Sequence, residues 1–218
     1  MNDNFAFEYK GNIHIHSSYS DGAGTIPEIA GYAKDMGLDF VITNEHAHMT
    51  DALHLENEGF CEGLLVLTGL EIGVRYHHYL SFDLKEMPGE DYSNPQKVIN
   101  EVHRQGGFGF LAHPLEKGMP FVDHSIAYTW NDLDVTGYTG IEIWNFSSRW
   151  KERVKSPIHG IYHLLFKALT LKGPDKETLE LWDRLCQERK TVAVGGSDAH
   201  GANFQWAGMN LIPLLQNN

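Results

Sequence analysis

Nine side chains able to bind a metal ion fall where predicted strands end, and that placement constrains the chain more than any other feature. His14 and His16 finish the first strand, and Asp21 follows on its loop. His46 follows the second strand, Glu71 lies near the end of the third, and His78 comes soon after. His113 closes the fifth, while Asp198 and His200 end the last.

The strands are read from pattern. From Asn12 to His16, Ile13 and Ile15 alternate with the two histidines, a period that sends both imidazoles to one face. Thr25-Ile26-Pro27-Glu28 is a capping-box pattern with proline inside the first turn; it opens a helix through Ile29, Ala30 and Ala33 that Gly37 closes. Asp39 to Thr43 reads as a buried strand, Leu64 to Ile72 as another, and His77 to Leu84 as a third placed to form a hairpin with it. Asn94-Pro95 opens an amphipathic helix through Val98, Ile99 and Val102 to Gly106. Strands follow at Phe108 to Ala112, Ile141 to Trp144 and Thr191 to Ser197, with helices over Pro157 to Leu171 and Asp175 to Lys190. Residues 115 to 139 read as an extended loop or lid. About seven strands interleaved with helices predict an α/β fold with a largely parallel sheet, in which chemistry sits at the C-terminal strand ends.

Imidazole combined with carboxylate suits Zn²⁺, Mn²⁺ or Fe²⁺ better than Ca²⁺, which prefers oxygen alone. His14 and His16 leave one strand face and can meet on one ion, and Asp198 with His200 can do likewise. In a closed barrel the first and last strands are neighbours, which would bring the two pairs together. A single His-x-His describes a solvated strand face equally well; the weight lies in the joint placement. His54, His103, His124, His159 and His163 read as surface or helix-packing residues, and Trp144, Trp150, Trp182 and Trp206 as core or pocket-wall aromatics. Arg75, Lys117 and Arg149 lie just beyond strand ends, where they could meet a phosphate or simply be solvated.

The formal net charge of −12 over 218 residues opposes a surface built for a nucleic-acid backbone. A small phosphorylated substrate is favoured, and nucleic acid is expected only as short fragments or nucleotides, because divalent ions offset charge locally. Cys61 and Cys186 are too few for a disulfide framework. The start lacks a basic region followed by an apolar stretch, and no run approaches the ~20 apolar residues of a membrane span, so a cytoplasmic location without a membrane partner is expected. Residues 1–218 are read as a single domain, of no stated oligomeric state.

The chain resembles the PHP (polymerase and histidinol phosphatase) superfamily. The resemblance runs through Asn12-Ile13-His14-Ile15-His16 with Ser20-Asp21-Gly22, Ile42-Thr43-Asn44-Glu45-His46 and Gly69-Leu70-Glu71. It continues through Ala112-His113-Pro114, Gly140-Ile141-Glu142-Ile143-Trp144-Asn145 and Gly195-Gly196-Ser197-Asp198-Ala199-His200. It implies a distorted (β/α)7 barrel holding two or three divalent metal ions, Zn, Mn or Fe. By the same resemblance His14, His16, Glu71 and Asp198 hold one ion; Glu71 bridges to a second held by His78 and His113; Asp21, His46 and His200 hold a third. The family commonly has Asp where this chain has Glu45, and His48 and His77 lie close to His46 and His78, which rank ahead of them as ligands.

The expected activity is hydrolysis of a small phosphomonoester or phosphodiester through a metal-bound hydroxide, with Glu71, Asp198 and His200 as the catalytic positions. The alternatives are an amide or ester hydrolase using the same cluster, and a metal-stabilised binding domain without turnover.

Overall fold

A computed structural model describes residues 7–89, 91–122 and 128–201, together with the backbone of 205–206 and 209–210. His124 and the side chain of Trp206 lie outside the described residues. The chain orders as β1 (Gly11–Ile15), α1 (Ile26–Asp35), β2 (Phe40–His46), β3 (Gly59–Cys61), β4 (Leu64–Ile72) and β5 (Tyr79–Phe82). It continues with α2 (Pro95–Arg104), β6 (Phe108–Leu111), β7 (Gly140–Asn145), α3 (Phe146–Lys151), α4 (Pro157–Leu165), α5 (Lys167–Thr170), α6 (Lys176–Glu188) and β8 (Val192–Gly196). Two-residue strands β9 (Gln205–Trp206) and β10 (Met209–Asn210) pair antiparallel with each other.

The main sheet runs β1-β2-β4-β5-β6-β7-β8, with β3 added against β4. Its two edges meet: the amide of His16 donates to the carbonyl of Ala199, and that of Asp198 to the carbonyl of His14, each at 2.9 Å. The result is a nearly closed α/β barrel. All neighbouring pairs along that path are parallel except β4–β5 and β5–β6. The hairpin expected between β4 and β5 is present, with Glu71 opposite Leu80 and Ile72 opposite Tyr79. Because β5 runs backwards, its beginning lies at the same end of the barrel as the finish of β4. His78 therefore joins residues that end strands although it precedes one.

The two-residue period of each strand sorts side chains into three clusters. Ile42, Leu80, Phe82, Phe110, Ala112 and Val194, drawn from opposite sides of the ring, pack together and fill the barrel interior. Outside, Ile26, Ala30 and Ala33 of α1 cover Val41, Leu64 and Val66. Val98, Ile99 and Val102 of α2, with Leu181 of α6, cover Leu70, Ile72, Leu111 and Ile141. Along β2 the interior positions run Ile42, Asn44, His46, so the barrel changes from apolar to ligand-bearing within one strand.

The helix starts match their signals. Glu28 accepts from the backbone N–H of Thr25 at 2.8 Å, Asn94 from that of Lys97 at 3.1 Å, and Asp175 from that of Thr178 at 3.0 Å. Besides the short strands β3, β9 and β10, two helical details differ from the sequence expectation. The single helix expected over Pro157–Leu171 is broken at Phe166, whose φ of −112° and ψ of 31° leave the helical region. In addition, α3 follows β7 without a loop, because Asn145 caps it by accepting from the N–H of Ser148 at 2.9 Å. The described part of 115–139 contains no helix or strand, as expected of a loop.

Gly196 marks where β8 passes β1. A Cβ there would sit 2.5 Å from that of His14 and 2.7 Å from Oε1 of Glu142. Gly196→Ala is thus expected to cost about 1–3 kcal/mol by overpacking, lowering the melting temperature by about 2–4 °C for each kcal/mol. A calorimetric melt of the variant checks this, and an unchanged midpoint would refute the close approach.

Candidate metal centre

The nine side chains singled out above converge at one end of the barrel. Three overlapping groups form there: His14, His16, Glu71 and Asp198; His46, Glu71 and His78; and His16, Asp21, His46 and His200, the ligand atoms within each group lying within 4.8 Å of one another. His113 joins through Nε2, 3.0 Å from Oε1 of Glu71. His16 and His46 each belong to two groups, a finer point than the sequence resolves. His48 is exposed, with its ring 5.5 Å from that of His46, and His77 accepts the backbone N–H of Asn131 at 3.2 Å. Neither enters the cluster.

Glu71 sits at the centre. Its Oε1 faces His78 at 2.7 Å and His113 at 3.0 Å; its Oε2 faces His16 at 3.1 Å, His14 at 3.3 Å and His46 at 3.4 Å. Buried nitrogens on His14 (Nε2), His16 (both), His46 (Nδ1), His78 (Nε2) and His113 (Nδ1) lack a hydrogen bond of ordinary geometry. Buried polar atoms are normally satisfied, so lone pairs converging among carboxylates fit divalent ions of the Zn, Mn or Fe kind. Asp198 and His113 adopt positive φ, 54° and 28°. Such non-glycine conformations are uncommon and cluster at functional sites.

Two carboxylates outside the predicted set orient the ligands. Glu142, buried on β7, lies with Oε1 3.0 Å from Nδ1 of His14, while its Oε2 accepts from the backbone N–H of His113 at 3.0 Å and from Nδ2 of Asn145 at 3.1 Å. A proton on Nδ1 of His14 leaves Nε2 free to face Glu71 and Asp198, the outer-carboxylate arrangement common at metal-binding histidines. Glu116, also buried, accepts from the hydroxyl of Ser148 at 2.7 Å and lies 3.5 Å from Nδ1 of His113. Sequence reasoning quoted Glu142 within its motif without giving it a role and passed over Glu116. The only signal for Glu142 was a glutamate at an inward position of a strand, and Glu116, in the loop after β6, gave none. Glu45 accepts from the N–H of Ser17 at 3.1 Å and from the hydroxyls of Ser17 and Ser20 at 2.6 and 2.5 Å, anchoring the loop that carries Asp21.

The electrostatics of the metal-free protein follow from this crowding. Burial opposes charge on His16 and His113, yet Asp198 and Glu71 at the first, and Glu71 and Glu116 at the second, lift both pKa values to about 9. His14 is likewise raised, burial being outweighed by Glu142, Glu71 and Asp198. Burial drives His46 the other way, to about 3. Although burial disfavours their charged forms, the histidines hold Glu71 and Asp198 well below the usual carboxylate range. Protons on imidazole stand where metal charge would otherwise sit.

Arg75, Lys117 and Arg149 do not line the cavity beside this centre. Arg75 lies over the ring of Tyr76, Lys117 pairs with Glu177 at 2.6 Å, and Arg149 pairs with Glu152 and Asp175. Lys151, which sequence reasoning missed, does line it.

Comparison with known proteins agrees with the geometry. A family model, the PHP domain, matches residues 12–168, and the chain belongs to that family. DNA polymerase III subunit alpha from Treponema pallidum (strain Nichols) is 29% identical over 112 residues, covering 44% of this chain and 9% of that protein. A two-domain protein from Bacteroides vulgatus ATCC 8482 containing a predicted PHP-like metal-dependent phosphoesterase superposes with a TM-score of 0.55 at 22% identity, over 88% of this chain and 52% of that one. PsfC from Pseudomonas syringae PB-5123 gives 0.57 at 16% identity, over 89% and 78%. The chain thus spans about half of the first of these structures and under a tenth of the polymerase subunit. No helix among the described residues is long and apolar enough to cross a membrane.

Two outcomes are expected. Raised histidine pKa values add stability that is complete below the ordinary value of about 6.5 and is lost as pH rises toward about 9. The metal-free protein should therefore melt at progressively lower temperature from pH 6.5 to 9, while the rise in melting temperature on adding Zn²⁺ or Mn²⁺ should grow, since metal must displace those protons. Scanning calorimetry with and without chelator tests both trends, and a metal-free midpoint that climbs over this window would contradict the first. Separately, Glu142→Gln should weaken metal affinity about 10- to 100-fold. Chelator competition measures it, with equal affinity arguing against an orienting role.

Proposed function

We propose that the protein is a metal-dependent phosphoesterase acting on a small phosphomonoester or phosphodiester. The observation that carries this reading is the convergence of six histidines, Asp21 and Asp198 around Glu71, with imidazole lone pairs left without hydrogen bonds. Membership of the PHP family supports it, as does the fold shared with a protein described as containing a metal-dependent phosphoesterase.

In this reading His14, His16, Glu71 and Asp198 hold one ion, Glu71 with His78 and His113 a second, and Asp21, His46 and His200 a third. Bound divalent ions supply the chemistry, acidifying water toward neutral pH and offsetting charge on the phosphoryl oxygens. The chain's own groups position. Glu71 places one oxygen toward each side of the cluster and so fixes the separation of its halves. Asp198 supplies negative charge from the strand that closes the barrel, and its backbone carbonyl lies 2.9 Å from Nδ1 of His200. With the proton on Nδ1, Nε2 of His200 is directed at Asp21, 3.3 Å away. His200, about a quarter exposed, stands at the mouth where substrate enters. Residues 1–218 act as one hydrolase domain in this account, since the cluster draws on His14 and His200 alike.

Elemental analysis after loading with Zn²⁺ or Mn²⁺ should find at least two ions per chain, because nine ligands exceed one four- to six-coordinate site. Asp198→Asn, folded by circular dichroism, should lose phosphoester turnover by orders of magnitude, because the amide keeps the shape but not the charge of the carboxylate. Full turnover by this variant would exclude the mechanism; cleavage of amides or carboxylic esters alone by the unmodified protein would change the reaction class.

A further inference from the structure

Lys151 ends α3 and lines a cavity of about 390 Å³ whose other walls include His46, Glu71, His113, Asp198 and His200. Among the described residues it is the one lysine or arginine lining that cavity. Its Nζ lies 3.6 Å from Oε1 of Glu116 and 5.7 Å from the centre of the Tyr128 ring, and the side chain is about three-quarters buried. Beside Lys151, Met119, Tyr128, Phe146 and Trp150 add apolar and aromatic surface to the lining of the cavity.

A buried lysine facing a metal cluster needs a reason. Loaded with divalent ions, the cluster is cationic, and a second cation across a small cavity repels it through a low-dielectric gap. Glu116 faces Lys151 with Oε1, 3.6 Å away and so beyond hydrogen-bond distance, while its Oε2 is met by the Ser148 hydroxyl and the His113 ring. That one long ion pair balances a single charge and does not use the hydrogen-bonding capacity of an ammonium with three donors. The arrangement becomes favourable when an anion lies between ions and ammonium, attracted by both. A neutral amide or ester carbonyl gains little there, whereas a phosphoryl group presents several charged oxygens, of which the metals can take some and Lys151 another.

We propose that Lys151 binds a non-bridging phosphoryl oxygen of the substrate across from the metal cluster and is the residue that selects phosphoesters over neutral acyl substrates. This rests on the phosphoesterase reading and adds a specificity-determining residue to it. The apolar face beside Lys151 receives the alcohol portion, which favours a small phosphoester with a flat or apolar leaving group.

The test uses the metal-loaded full chain with inorganic phosphate as probe, its dissociation constant measured by calorimetry for the unmodified protein, Lys151→Met and Lys151→Arg. Loss of one charge-assisted hydrogen bond should weaken phosphate binding in Lys151→Met roughly 10- to 100-fold. Metal content should be unchanged, and Lys151→Arg should recover most of the affinity. Equal phosphate affinity in Lys151→Met overturns the assignment. So does loss of metal or of the folded state in Lys151→Met with recovery in Lys151→Arg, which would make Lys151 a structural counter-ion for Glu116. A parallel turnover panel of an aryl phosphomonoester, a phosphodiester and an aryl carboxylic ester separates this inference from the one beneath it. No phosphoester turnover by the unmodified chain, with the phosphate result intact, removes the hydrolase reading and leaves Lys151 as an anion-binding residue. Phosphoester turnover with unaltered KM in Lys151→Met removes the Lys151 assignment alone.

Discussion

The structure depends on keeping one carboxylate charged in a place where charge is costly. Glu71 is 1% exposed at the inner end of β4, and its two oxygens are met by five imidazoles from five positions in the chain. An isolated carboxylate at that depth would be neutralised by a proton, because desolvation opposes its charged form. The surrounding rings reverse that preference, and outer carboxylates in turn set the orientation of the rings. Removal of any layer exposes the next to the full cost of burial. The barrel is the scaffold that makes such layering possible, since it brings strand ends from the whole chain to one rim.

This architecture explains why much of the site could be read from the sequence. His14 and His16 are two apart on a strand, so their common face needs only the period of the strand, and Asp198 and His200 follow from the likeness of the last strand to a barrel edge. His78 was placed by resemblance and by its nearness to Glu71; the physical reason, the reversed direction of β5, emerges from the pairing of Glu71 with Leu80. Glu142, Glu116 and Lys151 were invisible for a different cause. Each is placed at the centre by contacts to a remote segment, Glu142 to His14, Glu116 to Ser148 and Lys151 to Glu116, and a lone glutamate or lysine carries no spacing signal. The short helix α3 was missed for a related reason: it begins without an intervening loop, and six residues are too few for an amphipathic period to show. The break at Phe166 lies in an apolar run where periodicity likewise says little.

The global charge of −12 and the local character of the mouth are separate properties. The surface carries most of that deficit, while the buried centre balances carboxylate against imidazolium in the absence of metal. Were divalent ions to replace those protons, the rim would turn positive within an acidic molecule. In the proposed metal-loaded state, long-range attraction for polyanions would stay weak, and a small anion reaching the mouth would meet a field of opposite sign over only a short distance.

The hairpin that joins Glu71 to His78 also has a kinetic meaning. These two residues are seven positions apart, whereas the contact between Ser197 and His14 that closes the barrel spans 183. By the logarithmic growth of loop-closure entropy, the second contact costs about 3 kcal/mol more to form than the first. The Glu71–His78 pair can therefore form during early, local folding, while the part of the centre containing His14 and Asp198 waits for the two edges of the barrel to meet. An ion captured early would be held by the hairpin alone, and its exchange rate would report how far the ring has closed.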